Sequence, residues 1–225
     1  MNQTTLLVFA HPDDETFSCG GSIAQWAKDP GHHIILYCAT RGEAGKRGDP
    51  PLCSPEKLGE VRTEELQRAA DILGIDQVVM RDFPDGKLTD LPLNLLVEDL
   101  QKIISNYTPQ TVITFPPHGI SGHPDHKAIH LATVEAIRTG SVETKLLYSV
   151  IPDSMARHFT QPIYSTPDKD VSLEIDVSKE RKTIMKALQQ HRTQHLSIER
   201  VFPGVMDGKW NRIRNVEYFQ EVTLP

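Results

Sequence analysis

Short apolar runs alternate with amphipathic stretches along most of this 225-residue chain. Apolar runs predict buried strands at residues 5–10 and 34–39. Further strands are predicted at 77–80, 111–115 and 145–150, and an alternating run predicts a half-exposed strand at 171–177. Stripes with helical spacing predict helices at residues 22–28, 54–73, 91–105, 125–138 and 178–191. The tail beyond residue 196 has no strong periodicity. This alternation predicts an α/β fold with a mostly parallel sheet, in one domain spanning residues 1–225.

Polar groups follow four of the predicted strands. The segment AHPDDE at residues 10–15 ends the first apolar run, and HPDH at residues 123–126 comes soon after the strand at 111–115. Residues 42–43 and 81–82 follow two further strands. Ligands of doubly wound sheets bind beyond the carboxyl ends of strands, near the point where the strand order reverses. We therefore expect these segments to form one polar rim.

The two motifs rich in histidine and aspartate have the composition of a split metal site. His11, Asp14 and His126 would supply two imidazoles and one carboxylate. That set suits Zn²⁺ with an open position for water, and also non-haem Fe²⁺. Asp13 adjoins a candidate ligand and is well placed to accept a proton from water as a general base. Each motif alone is also typical of a helix N-terminus, where its polar side chains cap the helix.

Two further residues of the second motif are candidates for roles in catalysis. His123 is expected to be protonated and to face a developing oxyanion or a departing amine. Asp125 is expected to orient one of the neighbouring imidazoles. Its pairing with His123 would raise the pKa of that imidazole, and the reaction would then slow when His123 loses its proton.

The amino-acid composition argues against some classes of binding partner and cellular location. The formal net charge of −6 and the lack of a lysine or arginine run argue against nucleic acid. The three cysteines, Cys19, Cys38 and Cys53, are odd in number and lack C-x-x-C spacing, which predicts a reducing, cytoplasmic environment. The chain does not begin with a basic, apolar leader, and no apolar run approaches the roughly 20 residues that span a bilayer. We therefore expect neither export nor a membrane partner.

These motifs closely resemble those of the PIG-L/LmbE-like metal-dependent N-deacetylases. The resemblance rests on HPDDE at residues 11–15, the glycine pair at 20–21 and HPDH at 123–126. The order of elements agrees from residue 6 to 138 and more loosely to 194. The resemblance implies a Rossmann-like three-layer α/β/α fold and a zinc site, or an Fe²⁺ site in the cell, that hydrolyses the acetamide of N-acetylglucosamine-type sugars. It also implies that the metal ligands are His11, Asp14 and His126, the base is Asp13, and the residue that stabilises the oxyanion or protonates the amine is His123.

Within this family, the loop GEAGKRGDPP at residues 42–51 is similar to that of bacillithiol-pathway deacetylases, which act on N-acetylglucosaminyl-malate. The family resemblance implies that Arg62 reaches the substrate and that Asp82 contacts sugar hydroxyls. Arg62 has an alternative place against the acetamide, where it would affect all substrates alike. The loop would bind an anionic aglycone such as malate. Its candidate substrate-binding residues are Glu43, Lys46 and Arg47.

We therefore expect a cytoplasmic zinc hydrolase that acts on a small-molecule amino-sugar conjugate and assembles as a homo-oligomer. Two alternatives stay open, namely an amidase for another amino-sugar or sugar-thiol conjugate, and a metal- or sugar-binding module without turnover. The presence of both Asp13 and His123 argues against a pure binding module. A non-haem iron oxygenase with the same ligand set is disfavoured by the strand–helix alternation, because such enzymes usually have β-sandwich folds.

Overall fold

A seven-stranded sheet forms the centre of the computed structural model, which describes residues 3–157, 159 and 163–224. The strand order is β3-β2-β1-β4-β5-β7-β6, in which the first five strands are parallel and β7 is antiparallel to both of its neighbours. The predicted α/β fold with a mostly parallel sheet is therefore confirmed. The strands are β1 (Gln3–Phe9), β2 (His32–Cys38), β3 (Gln77–Met80), β4 (Thr111–Thr114), β5 (Lys145–Val150), β6 (Leu173–Asp176) and β7 (Val216–Val222).

Helices cover the sheet in two groups. Helices α1, α2 and α7 pack against one another, and α3 packs against α5. Strand β1 contacts both α1 and α5, and its residues Leu6, Leu7 and Val8 have no exposed surface, so both of its faces are covered. Among the described residues, no helix is both long and apolar enough to cross a membrane. The helices are α1 (Asp14–Trp26), α2 (Leu58–Leu73), α3 (Leu93–Tyr107), α4 (Gly119–Gly122), α5 (Pro124–Thr139), α6 (Asp153–Ala156), α7 (Arg181–Leu188) and α8 (His195–Val201).

The order of the parallel strands reverses between β1 and β4. From β1 the chain proceeds outward to β2 and β3, whereas β4 and β5 lie on the other side. Parallel pairing brings the carboxyl ends of β1 and β4 to the same edge of the sheet. This is the crevice where doubly wound proteins bind their ligands. Both sequence motifs follow these two strands, so the topology itself brings them together.

The C-terminal tail is more ordered than its sequence predicted. It contains α8 and β7, and β7 pairs with both β5 and β6. In β7, buried Glu217 and Phe219 alternate with partly exposed residues, a short strand pattern that the sequence analysis missed. Residues around α7 and α8 form a second apolar cluster, which packs against Phe17 of α1. The tail is therefore anchored to the helix that begins at the first motif.

Helix α1 is broken at Cys19, whose φ of −149° is not helical. Behind the break, Glu217 accepts hydrogen bonds from the Gly21 amide at 2.9 Å and the Ser22 amide at 2.8 Å, and so caps the second half of the helix. A Cβ atom at Gly21 would lie 2.5 Å from Val177, so the close packing requires glycine there. The predicted helix at 22–28 overlaps only this second half, because the capped break interrupts the apolar stripe.

Replacing Glu217 by alanine should lower the free energy of unfolding by about 2–4 kcal/mol, because two buried N–H groups and Arg214 lose their partner. Urea denaturation measures the change. The control is Glu221→Ala in the same strand, which removes only an exposed pair with Lys145 and should cost less than about 1 kcal/mol. Equal losses in the two variants would contradict the capping role of Glu217.

Candidate metal centre and active site

Three side chains from the two motifs converge where β1 and β4 end. The His126 Nε2 atom lies 3.3 Å from His11 Nδ1. The Asp14 carboxylate lies 3.4 Å from His11 Nδ1 and 3.3 Å from His126 Nε2. The fold thus brings together the two imidazoles and the carboxylate that we predicted as metal ligands from the sequence.

Buried acceptors hold the far side of the His11 ring. His11 Nε2 lies 3.1 Å from Asp125 Oδ2 and 3.0 Å from Asp85 Oδ1. Asp125 also accepts hydrogen bonds from the Gly86 amide at 2.7 Å and the Leu88 amide at 3.0 Å, which fix the position of its carboxylate. A proton on His11 Nε2 leaves the lone pair on Nδ1, the orientation that metal-bound histidines take from a carboxylate behind them.

The His126 ring is fixed in the same way. Its Nδ1 atom donates to the Gly119 carbonyl at 3.0 Å. The ring stacks on Phe115, with 4.0 Å between ring centroids and an interplanar angle of 8°. The lone pair of Nε2 is therefore aimed at Asp14 and His11, where a cation would lie.

These residues fit a divalent metal. Tetrahedral zinc with bonds of about 2.0–2.2 Å separates neighbouring ligand atoms by about 3.3–3.5 Å. Here the two imidazole nitrogens are 3.3 Å apart, and each lies 3.3–3.4 Å from one of the two carboxylate oxygens of Asp14. Burial would raise the pKa of Asp14, but the imidazoles of His126 and His11 hold that pKa well below its ordinary range, so the carboxylate is ionised. Burial opposes a charge on His11, yet hydrogen bonds to Asp125, Asp14 and Asp85 raise its pKa well above the ordinary value. Such surplus negative charge favours a cation, and the ligand types suit Zn²⁺ and Fe²⁺ alike.

Asp13 lies beside this group in a strained backbone conformation. Its φ of 115° is one that residues with side chains rarely adopt. One carboxylate oxygen lies 3.3 Å from Arg62 Nη2. Burial, opposed by the charge of Arg62 and reinforced by that of Asp14, raises the pKa of Asp13 to about 6. Asp13 is consequently a stronger base than an exposed aspartate and is still ionised at neutral pH.

His123 also faces the group, but not in the form that we expected. Its Nδ1 atom accepts a hydrogen bond from the Asp125 amide at 3.2 Å, so the imidazole is neutral and its proton lies on Nε2. Burial and the charges of His11 and His126 lower the pKa of His123. The expected pairing of His123 with the Asp125 carboxylate is wrong, because that carboxylate binds His11. A ring nitrogen of His123 still lies within 4.8 Å of ring nitrogens of His11 and His126, so the His123 ring borders the same site.

The loop after β3 contributes a different aspartate from the one predicted. Asp82 is 74% exposed and pairs with Arg41. Asp85, three residues later, is the carboxylate that contacts His11, and it also accepts from the Ala44 amide at 2.9 Å. Burial would raise the pKa of Asp85, but the hydrogen bond with His11 holds it below the usual value. Asp85 rather than Asp82 therefore belongs to the site in this structure.

The 42–51 loop is fastened to the same turn. Glu43 accepts a hydrogen bond from the Asp85 amide at 2.9 Å. The Lys46 side chain is exposed, whereas the Arg47 guanidinium donates at 3.0 Å to the Cys53 carbonyl beyond the loop. Of the two predicted cations of this loop, Lys46 is thus the better exposed to an incoming ligand.

Arg62 is too deeply buried to contact an aglycone at the surface. Only 4% of its surface is exposed. Its guanidinium donates to the Pro12 carbonyl, to the Gly42 carbonyl at 3.0 Å and to Asp13. A Cβ atom at Gly42 would lie 2.2 Å from this guanidinium, so glycine is required for the contact. The geometry favours the alternative place of Arg62, at the reacting centre.

Two residues of the site were missed in the sequence. Asp85 lies in a Pro-Asp-Gly segment typical of a turn, and its position soon after a strand was the available signal. His191 is fully buried, and its Nε2 atom lies 3.2 Å from Glu15 Oε1 in the first motif. Nothing in the sequence around His191 indicates this contact, which joins residues 176 positions apart.

Comparison with known proteins agrees with this geometry. The family model described as PIG-L, GlcNAc-PI de-N-acetylase, matches residues 6–137, which is more than half of the chain. The chain belongs to the PIG-L family. The matched region contains both motifs, the second half of β1 and the strands β2 to β4.

Curated relatives of this PIG-L protein act on two kinds of sugar conjugate. A 1D-myo-inositol 2-acetamido-2-deoxy-alpha-D-glucopyranoside deacetylase of Thermobifida fusca is 31% identical, over 95% of this chain and 91% of the relative. A protein of Bacillus cereus named as a probable N-acetyl-alpha-D-glucosaminyl L-malate deacetylase 2 is 33% identical, over 67% of this chain and 68% of its own length.

Solved structures share the fold of this PIG-L protein at lower identity. The N,N'-diacetylchitobiose deacetylase of Pyrococcus horikoshii matches with a TM-score of 0.75 and 20% identity, over 98% of this chain and 84% of that one. GalB, a 4-carboxy-2-hydroxymuconate hydratase of Pseudomonas putida, matches with a TM-score of 0.66 and 19% identity, over 99% and 97%. At these identities the likeness concerns the fold alone.

Asp125→Asn should weaken zinc affinity by about 10–100-fold, because the variant loses the charged acceptor that orients His11. Competition with a chromophoric chelator measures the affinity. Asp82→Asn is the matched control, since its carboxylate contacts Arg41 on the surface, and its affinity should equal that of the wild type. If both variants bound zinc like the wild type, His11 would not depend on Asp125.

Proposed function

We propose that this protein is a metal-dependent hydrolase that removes the N-acetyl group from an N-acetylglucosamine conjugate. The observation that supports this most is the convergence of His11, His126 and the Asp14 carboxylate within 3.3–3.4 Å contacts, with Asp13 beside them. Zinc is the proposed metal, and Fe²⁺ suits the same ligands. The family membership and the deacetylase activities named for the two relatives support the same reaction.

The proposed reaction assigns one task to each neighbouring side chain. When bound, the metal supplies Lewis acidity toward the acetamide carbonyl and the attacking water. Asp13 accepts a proton from that water while the water oxygen bonds to the carbonyl carbon. The Nε2–H of neutral His123 donates a hydrogen bond to the oxygen that becomes negative. Asp13 then returns its proton to the nitrogen, the C–N bond breaks, and the products are acetate and the free amine.

For the aglycone we propose malate. Support comes from the Bacillus relative named for the malate conjugate and from the exposed cation Lys46 in the 42–51 loop. A Thermobifida relative named for an inositol conjugate makes that substrate the main competitor. Malate brings two carboxylates, whereas inositol is neutral, so a cation in the loop distinguishes the two chemically.

Two other readings remain candidates. The first is an amidase acting on a different amino-sugar or sugar-thiol conjugate, which would use the same donor set. The second is a metal- or sugar-binding module without turnover, which would have no use for a base with a raised pKa such as Asp13. The fold cannot choose between reactions, since a hydratase shares it.

Asp13→Asn should retain the metal and lower kcat by about 10²–10⁴-fold, because an amide cannot accept the proton of the attacking water. Metal content by elemental analysis and amine release by a fluorogenic amine reagent are measured on the same preparation. Turnover near the wild-type rate in the metal-loaded variant would remove Asp13 from the mechanism.

The substrate is tested with a panel of N-acetylglucosamine, its malate conjugate and its inositol conjugate. The malate conjugate should exceed the free sugar by at least about 10-fold in kcat/KM, which corresponds to about 1.4 kcal/mol of transition-state binding. Preference for the inositol conjugate would replace malate as the aglycone while preserving the reaction. Metal-loaded enzyme that releases amine from none of the three would exclude the proposed deacetylation of these conjugates.

Two variants distinguish the contribution of the 42–51 loop to aglycone binding from that of Arg62 to the reaction. Lys46→Ala should reduce kcat/KM for the malate conjugate by about 3–10-fold and leave the free sugar unaffected, because it removes an exposed cation. Arg62→Lys should lower kcat by a similar factor on both substrates, because Arg62 contacts Asp13. A loss confined to the malate conjugate in Arg62→Lys would return Arg62 to aglycone binding.

A further inference from the structure

We propose that His191 is a positioning residue for Asp13 and that it acts through Glu15. The inference rests on the proposed function of Asp13 as the base. His191 lies outside the segment 6–137 that the family model matches, in the short connection between α7 and α8. The contact between His191 and Glu15 therefore brings a distant part of the chain to the first motif.

The backbone of Asp13 requires an external restraint. A non-glycine residue at a φ of 115° is strained and persists only where its surroundings enforce it. The Asp13 amide donates to Glu15 Oε2 at 3.1 Å, a contact that closes the turn on itself. Rotation of this peptide would move the Asp13 carboxylate away from the site, so Glu15, together with Arg62, fixes where the base lies.

Glu15 is held in turn by His191. Glu15 has no exposed surface, and its Oε1 atom accepts from the Thr16 hydroxyl and lies 3.2 Å from His191 Nε2. A buried carboxylate is stable only when donors satisfy it, and His191 is the donor that comes from outside the motif. His191 is itself fully buried, and its Nδ1 atom has no hydrogen-bond partner in the described part of the chain. The ring's one hydrogen bond in the described part of the chain is therefore the one with Glu15, while its charge also acts on Asp13 across space.

The residues after His191 keep this imidazole in place. Thr193 donates to the buried Glu65 of α2 through its amide at 2.9 Å and its hydroxyl at 2.6 Å. Gln194 Nε2 donates to the Lys46 carbonyl at 2.8 Å. Residues 191–194 are thus fixed to α1, to α2 and to the 42–51 loop, which gives His191 a defined position from which to orient Glu15.

The test compares His191→Leu, His191→Gln and a matched control. His191→Leu removes the donor and should lower kcat about 10–100-fold, with KM and zinc content unchanged, because a small displacement of a catalytic group has effects of this size. His191→Gln places an amide N–H near the position of Nε2 and should recover most of the loss. The control His32→Leu removes another buried histidine, which contacts Thr5 far from the site, and should lower Tm but not kcat.

A double-mutant cycle tests the route through Glu15. If His191 acts through Glu15, adding His191→Leu to Glu15→Gln should lower kcat no further than Glu15→Gln alone. Independent effects would multiply, and multiplied losses would overturn the route. A loss of kcat in His191→Leu that tracks loss of zinc, or that the glutamine variant does not recover, would reduce His191 to a purely structural role.

Hydrogen exchange separates this inference from the proposed reaction. In His191→Leu, amides of the segment 10–17 should exchange faster than in the wild type, in His191→Gln and in His32→Leu, because the restraint on the Asp13 peptide is weakened. The measurement needs no substrate, so it stands even if none of the conjugates is hydrolysed. Unchanged exchange in His191→Leu would overturn the positioning role.

Discussion

The hydrogen bond between His11 Nε2 and Asp125 Oδ2, 3.1 Å long, joins the two motifs across 114 positions of the chain. The Asp125 side chain is fully buried, so it requires donors on every side, and the amides of Gly86 and Leu88 provide the others. The ends of β1 and β4 and the turn after β3 must therefore come together at the same time. The direction of the His11 lone pair, and with it the candidate metal site, depends on the packing of these three segments around Asp125.

Buried carboxylates elsewhere in the protein are compensated differently from those at the crevice. Away from it, Glu217 is satisfied by amides and Arg214, and Glu65 by Thr193. At the crevice, four carboxylates lie around one guanidinium, that of Arg62, which contacts Asp13, and the imidazoles of His11 and His126. Desolvated carboxylates of like charge destabilise one another unless a counter-charge is present. A divalent cation among the ligands would therefore stabilise the fold as well as supply the proposed chemistry. The carboxylates concerned are Asp13, Asp14, Asp85 and Asp125.

Much of this arrangement was predictable, because strands buried on both faces have continuous apolar runs and parallel strands present their ends at one edge. The convergence of His11, Asp14 and His126 followed from that rule. The contact of the Asp125 carboxylate with His11 was not predictable. The helix that begins at Pro124 turns the amide of Asp125, and not its side chain, toward His123. The role of Asp85 was missed because it lies in a Pro-Asp-Gly segment, which is typical of a simple turn. The contact of His191 with Glu15 spans 176 positions, and no local pattern can encode it.

The 42–51 loop, which we propose to bind the aglycone, is joined to the candidate metal site indirectly. The 42–51 loop meets the turn after β3 through two hydrogen bonds with Asp85, one from the Ala44 amide and one to Glu43. Asp85 in turn contacts His11 on the side away from the candidate metal ligands. The exposed Lys46 side chain can therefore be changed without removing a contact of His11, Asp14 or His126. A hydratase shares this fold, so the side chains placed at the sheet edge, and not the fold itself, determine the reaction.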